Sequence, residues 1–288
     1  MLRQRCLALL AALMLLPLPF AHASAEEEPL QFQLHQVNIG CADAYLLLIG
    51  DVAIMIDGGN DTGVRPDRLM TYLRAAGFDH LTAYIVTHYH DDHAGNLLLI
   101  MDEFGDENTV VYGPSESLPS RLQPLPTGTY AQMREGDQLT IGPLSILCIG
   151  PSVLTQEGGA NVDSLNFIVT YGSRRYLFTG DFAHSAAYLE KYADAVRDVD
   201  VLKFPHHGLE RKDKEPFYIS EQALRFVNPT IIVTPGAYAK VSMYVRKLAL
   251  PSLCYGNGDG NFIIYSDGES LDVVTGVEPG QYAGVNIP

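Results

Sequence analysis

Cysteine is scarce and scattered in this chain. Of its four cysteines, Cys6 lies in an N-terminal apolar segment, and Cys41, Cys148 and Cys254 stand far apart with no C-x-x-C spacing. That excludes a zinc site built from cysteines and allows at most one disulfide, so these three read as small buried hydrophobes. Basic residues are also short. There are 19 Lys and Arg against 34 Asp and Glu, a formal net charge of -15. Such a chain is a poor electrostatic match for long polyanions, whose phosphates are bound through lysine and arginine. After residue 25 there is no apolar run long enough to cross a bilayer.

What is present begins with "MLRQRCLALLAALMLLPLPFAHASA". Arg3 and Arg5 precede an apolar run from Cys6 to Phe20, and small residues end it at Ala23-Ser24-Ala25. This is the layout of a secretory signal peptide. The run is short for a span and carries Pro17 and Pro19, which favours cleavage over a retained anchor. The expectation is a signal peptide over residues 1–25 and one exported domain over 26–288, periplasmic or secreted. Losing Arg3 and Arg5 makes the remainder two units more negative. A hydrophobic content of 47% is enough for a sizeable core.

From Gln31 onward, apolar runs of strand length alternate with helical patterns. "LLLIG", "VAIMID" and "TAYIVTH" read as strands, bounded by Gly, Asp and Asn. Between the last two, Leu69, Met70, Leu73 and Ala76 recur at helical spacing, and Gly77 can close that helix. "NLLLIMDEF" reads as another helix, and the proline- and serine-rich stretch over 113–137 as a loop. The second half repeats the style. "LTIGPLSILCIG", "SLNFIVTYG", "RRYLFTGD", "VDVLKFP" and "TIIVTPG" read as strands, "AAYLEKYADAVR" and "ISEQALRFVN" as helices, and the tail as a hairpin turning at Asp267-Gly268. Polar clusters sit at strand C-terminal ends in both halves. The fold class this implies is α+β, two packed sheets with helices outside, an αββα sandwich.

The densest cluster is "VTHYHDDHAGN". His88 and His90, two apart in extended backbone, project to one side and can converge on one ion. Asp92 and His93 follow as the chain turns toward a helix and can face a second ion. Imidazole and carboxylate suit zinc and similar divalent metals, and Gly95 permits close backbone packing beneath the loop. Further ligands should come from other strand ends. Asp181 closes "LFTGD", where its alternative role is to cap the following helix. His206 and His207 close "LKFPHHG"; neighbours on an extended strand point apart, so one is expected to bind metal and the other to support it or donate a proton. His35 and His80 are isolated and read as surface or satisfied core residues; His184 is a lesser candidate for lining the pocket.

In this order, "IMIDGG", "THYHDDH", "LFTGD" and "LKFPHHG" resemble the metallo-β-lactamase superfamily. More narrowly they resemble the hydrolase domain of the competence-type DNA-uptake protein ComEC and its stand-alone secreted relatives. "NIGCADAYLLL" is similar to that group's "DVGQGDA" segment, with Cys41 and Ala42 in place of Gln and Gly and with Asp43 kept. The resemblance implies a metallo-β-lactamase-type sandwich and two divalent ions, zinc or else manganese. His88 and His90 would bind the first ion, Asp92 and His93 the second, and Asp181 would bridge. His207 would complete the second site, His206 would be the nearby catalytic group, and Asp57 would buttress the loop from behind. Asp92 would also orient the attacking water.

Two departures bear on function. The histidine that many superfamily members carry between the H-x-H-x-D-H motif and the bridging Asp is absent: there is none between residues 94 and 183. Asp163, Ser164, Asn166 or water is left to fill its place, a pattern that resembles the ComEC type and counts against a true β-lactamase. The late segment of that group is replaced by "GAYAKVSMYVRKL", which would alter substrate contacts. The leading expectation is an exported phosphodiesterase acting on nucleic acid or on a phosphorylated envelope polymer. Arg211, Lys212 and Lys214 after H-H-G would meet the anion at the pocket mouth. The alternatives are an amide or lactone hydrolase of the β-lactam kind, and a metal-bound module without catalysis.

Overall fold

The computed structural model describes residues 30–210 and 217–281. The expected signal peptide and the basic cluster Arg211, Lys212 and Lys214 lie outside the described residues. In chain order the strands are β1 (Phe32–Gln36), β2 (Ala44–Ile49), β3 (Val52–Gly58), β4 (Ala83–Ile85), β5 (Val110–Gly113), β6 (Thr129–Gln132), β7 (Gln138–Ile141), β8 (Leu144–Gly150), β9 (Asn166–Tyr171), β10 (Arg174–Phe178), β11 (Val201–Lys203), β12 (Ile231–Thr234), β13 (Leu253–Gly256), β14 (Phe262–Ser266) and β15 (Asp272–Thr275). The helices are α1 (Arg65–Ala75), α2 (Asp91–Ala94), α3 (Leu97–Phe104), α4 (Ala186–Leu189), α5 (Ala193–Val196), α6 (Glu221–Val227) and α7 (Tyr238–Lys247).

Two sheets form, in the orders β15-β14-β1-β2-β3-β4-β5-β6 and β13-β12-β11-β10-β9-β8-β7. Each is antiparallel toward one end and parallel toward the other: β3 to β6 run parallel, as do β10 to β13. Parallel neighbours put their C-terminal ends on one rim, and there the polar loops collect. Three apolar layers separate the elements. One lies between the sheets, with Phe167 stacked on Phe178 at 5.3 Å and Phe32 against Tyr176 at 4.8 Å. Another packs α1 and α3 on the first sheet, and a third packs α4 to α7 on the second. Each fully buried aromatic of this kind contributes about 1.5–3 kcal/mol. This is the αββα sandwich expected from the strand and helix pattern.

Two local expectations are corrected. The 113–137 stretch is not all loop. It contains β6, parallel to β5, because Tyr130 and Gln132 find partners on the neighbouring strand and its loop: the Tyr130 hydroxyl donates to Ser115 O at 2.6 Å and the Gln132 amide to Pro114 O at 2.8 Å. The single helix expected over 186–197 is broken into α4, a tight turn over Glu190–Tyr192, and α5. Tyr188 and Tyr192 are drawn outward to Ile149 O and Glu135. The Arg175 guanidinium takes the carbonyls of Asp194 (2.8 Å) and Ala195 (3.1 Å), ending the segment.

Candidate metal centre

Asp57 ends β3 with φ 54° and turns its carboxylate toward the parallel neighbour β4. It accepts from the Thr87 backbone N–H and from the Thr87 hydroxyl, both at 2.8 Å. That fixes the exit of β4, from which His88 and His90 follow. The short helix α2 then carries Asp92 and His93, and Gly95 lets it approach β3: a Cβ there would stand 2.8 Å from Gly59 O and from Asp61 N.

The other half comes from β10 and β11. Asp181 follows β10, and Ser185, not Asp181, caps the next helix, accepting from the Tyr188 N–H. After β11 the chain does not stay extended. His206 (φ 51°, ψ 47°), His207 (φ 52°, ψ 17°) and Gly208 (φ 71°) form a left-handed turn. Two non-glycine residues held there cost on the order of 1–2 kcal/mol each. The turn is held by His206 N–H to Gly180 O (3.2 Å) and by Ala237 N–H to His207 O (2.8 Å). It removes the reason for expecting the two imidazoles to point apart. Nε2 of His206 and Nε2 of His207 stand 3.6 and 3.5 Å from the same oxygen, Asp181 Oδ2.

Around Asp181 the side chains converge. His93 Nε2 is 3.2 Å from Asp181 Oδ1 and 3.2 Å from His207 Nε2; His207 Nε2 is 3.1 Å from Asp92 Oδ2. His88 Nε2 lies 3.0 Å from His90 Nδ1 and 4.0 Å from Asp181 Oδ2. Each inner histidine is backed by a carboxylate on its far edge, His93 Nδ1 by Asp57 at 2.7 Å and His207 Nδ1 by Asp43 at 3.1 Å. Such carboxylate–imidazole pairs set the tautomer and turn Nε2 toward a metal. One donor atom from each of Asp43, His93, Asp181 and His207, all buried, falls within 4.8 Å of the others. Asp43 stands on the Nδ1 edge of His207, whereas Asp92 and Asp181 stand on the Nε2 edge. Asp43 therefore backs the ring and Asp92 shares its front.

The electrostatics fit a cation. Burial pulls His93 down, but Asp181 and Asp57 outweigh it and hold the imidazole up at about 10. Burial likewise opposes charge on His207, and Asp43 and Asp181 raise it well above its ordinary value. Burial pushes Asp43 up; Lys203 and His207 bring it down to about 2. Asp43, Asp57, Asp92 and Asp181 thus surround one lysine and a group of imidazoles, a field that draws positive charge. Imidazole nitrogen with carboxylate oxygen at this density suits a divalent ion of the zinc kind.

Asp43 and Lys203 were not singled out as site residues from the sequence. Lys203 is 2% exposed, ion-paired to Asp43, 3.6 Å from Asp181 Oδ1, and donates to Gly180 O at 2.7 Å. The available signals were a charge inside the buried strand "VDVLKFP" and the retained Asp of "GCADA".

Of the three residues offered in place of the absent histidine, Asp163 is engaged elsewhere. Asp163 accepts from Thr155 N–H (2.6 Å) and hydroxyl (2.9 Å), Gln156 N–H (2.8 Å) and Gly158 N–H (3.0 Å), tying up its own loop. Ser164 Oγ accepts from Asp181 N–H at 3.0 Å. The Asn166 amide N–H donates to Ser164 O at 2.8 Å, while its Oδ1 is buried without a hydrogen-bond partner among the described residues. His184 is buried against Phe182 and Tyr188, His35 is a satisfied core residue between Tyr72 and Gln33, and His80 is exposed near Asp106. Cys41, Cys148 and Cys254 are unpaired thiols. Cys148 is buried, but Cys41 is exposed, because it stands in the turn before β2 rather than in a strand.

A family model described as the metallo-beta-lactamase superfamily matches residues 41–217, more than half of the chain and all of the centre. The chain belongs to the metallo-β-lactamase superfamily. The chain is 32% identical over 142 residues to a hydroxyacylglutathione hydrolase of Nitrosomonas europaea, and it spans less than half of that relative's length: the match covers 48% of this chain and 45% of that one. The metallo-β-lactamase fold protein YhfI from Bacillus subtilis superposes with a TM-score of 0.57 at 16% identity, covering 82% of this chain and 100% of that one. A diphosphatase of the PhnP family superposes with a TM-score of 0.51 at 13% identity, covering 80% and 96%. At these identities the structural neighbours establish the metallo-β-lactamase fold, with its two mixed sheets flanked by helices.

Proposed function

We propose that the protein is an exported metal-dependent phosphodiesterase of the ComEC-like kind, loaded with two zinc or manganese ions. The observation that carries this is the convergence of His88, His93 and His207 on the carboxylate of Asp181, at 3.2–4.0 Å from the nearest nitrogens, with His90 3.0 Å from His88. Ions bound there would acidify a water and offset the charge that develops on a phosphate oxygen. The chain's own residues prepare the place. Asp57 keeps a proton on His93 Nδ1 and Asp43 does the same for His207, so both rings present Nε2 as acceptors. Asp92, whose side chain is 34% exposed, reaches the open face and orients an incoming water. The phosphodiester preference rests on the motif order and H-H-G ending, and on the absent histidine that true β-lactamases carry. Export rests on the N-terminal segment. A net charge of -15 favours small or envelope-borne phosphodiesters over processive attack on nucleic acid.

A second reading, hydrolysis at a carbonyl carbon, is favoured by the stretch shared with the hydroxyacylglutathione hydrolase. The deciding experiment compares wild type with Asp181→Asn on bis-p-nitrophenyl phosphate, single-stranded DNA, a hydroxyacyl thioester of glutathione and nitrocefin, each with Zn²⁺ or Mn²⁺. Turnover of a phosphodiester, lost in Asp181→Asn, supports the proposal. Turnover of the thioester or nitrocefin alone replaces it, and no turnover of any leaves a metal-bound binding module.

A further inference from the structure

Asp181 divides the centre. Its Oδ1 faces His93 Nε2 at 3.2 Å and Lys203 Nζ at 3.6 Å. Its Oδ2 faces His88, His206 and His207, through Nε2 in each case, at 4.0, 3.6 and 3.5 Å. Asp92, His93 and His207 gather at Asp181, with His207 Nε2 3.1 Å from Asp92 Oδ2 and 3.2 Å from His93 Nε2. His88 and His90 stand 3.0 Å apart, with no third imidazole from residues 94–183. Asp163 is held by its own loop and Ser164 by Asp181 N–H, which leaves Asn166 Oδ1, buried without a partner among the described residues, as the rival donor to His206.

His206 is a further imidazole at Asp181. Its Nε2 reaches Asp181, it takes no part in the Asp92–His93–His207 group, and its ring is seated on Tyr218 with centroids 4.0 Å apart. The left-handed turn sets its ring 5.9 Å from that of His207, so the two flank one carboxylate instead of pointing to opposite faces. Its Nδ1 has no hydrogen-bond partner among the described residues, unlike Nδ1 of His207, which is held by Asp43. The left-handed turn and the Tyr218 ring, rather than a carboxylate at Nδ1, aim its Nε2 inward at Asp181.

We propose that His206 takes the place of the absent histidine and binds the first ion with His88, His90 and Asp181, so that adjacent histidines serve the two ions separately. This rests on the metal-dependent reading of the centre but not on which bond is cleaved. The test counts ions by plasma mass spectrometry and titrates them calorimetrically in the full chain, with Zn²⁺ alone as the probe. His206→Asn is the main variant, since Asn tolerates the left-handed backbone but is too short to reach Asp181. His206→Ala is the second, and thermal melting with a chelator confirms that each is folded.

The expected result is two ions in wild type, and in both variants one ion retained while the other weakens by more than about 100-fold, beyond what loss of an outer partner causes. Two ions held at unchanged affinity in either folded variant would overturn the proposal and return His206 to the role of proton donor. So would fewer than two ions in wild type. If wild type holds two ions and cleaves none of the substrates above, the functional reading fails while the count still decides this one.

Discussion

The carboxylate of Asp43 accepts from Nδ1 of His207 at 3.1 Å, across 164 residues of sequence. The same carboxylate is ion-paired to Lys203, so one buried acid ties the turn before β2 to the strand and turn that deliver His207.

Asp43→Asn keeps the shape and removes the charge. It is expected to weaken Zn²⁺ binding about 10–100-fold by freeing the His207 tautomer, while leaving the number of ions unchanged. Competition with a fluorescent chelator measures this, and unchanged affinity would show that Asp43 does not aim His207.

Lys203→Met leaves Asp43 and Asp181 without their buried cation. For chelator-treated protein this is expected to cost about 3 kcal/mol of stability, and the double variant Asp43→Asn/Lys203→Met less than the sum of the single changes. Urea unfolding of all four proteins closes the cycle; strict additivity would mean the pair is not coupled.

His35 is buried, and burial pushes its pKa from 6.5 to about 3. Its ring is satisfied as the neutral form, accepting from the Tyr72 hydroxyl at Nδ1 (2.8 Å) and donating from Nε2 to Gln33 (3.0 Å). The unfolded chain takes up a proton below pH 6.5 that the folded chain refuses until about pH 3. The stabilisation is therefore complete above 6.5 and is lost as pH falls toward 3, amounting to about 2 kcal/mol by pH 5. In chelator-treated protein, His35→Phe should flatten the unfolding free energy over pH 6.5–5 by that amount. Parallel profiles for the two proteins would refute it.

Asp163→Ala removes four accepted bonds from the loop whose Gly158 O receives Tyr89 N–H at 2.8 Å, between His88 and His90. A loss of about 3 kcal/mol is expected. Hydrogen exchange should quicken first in residues 155–163 and at Tyr89. Exchange that quickens uniformly instead would show that the loop does not brace the metal-binding segment.

The sequence by itself determined what depends on near neighbours. Strand and helix patterns are local periodicities, so the two-sheet sandwich, α1 from "RPDRLMTYLRA" and α3 from "LLLIMDEF" were legible. His88, His90, Asp92 and His93 were legible as a group because six residues hold them together, and the superfamily followed from their order with Asp57, Asp181 and the H-H-G ending. The break between α4 and α5 was not, because Ile149, Glu135 and Arg175, which make it, lie elsewhere in the chain. Only the tertiary structure decided what binds across the rim. Asp43 and Lys203 are an unremarkable acid and base until two sheets bring them together, buried from solvent, where each is tolerable only with the other. The placing of the adjacent histidines was not legible for a backbone reason. Sequence spacing assumes extended geometry, whereas packing around Gly208 and Gly236 holds His206 and His207 left-handed and turns both rings onto Asp181.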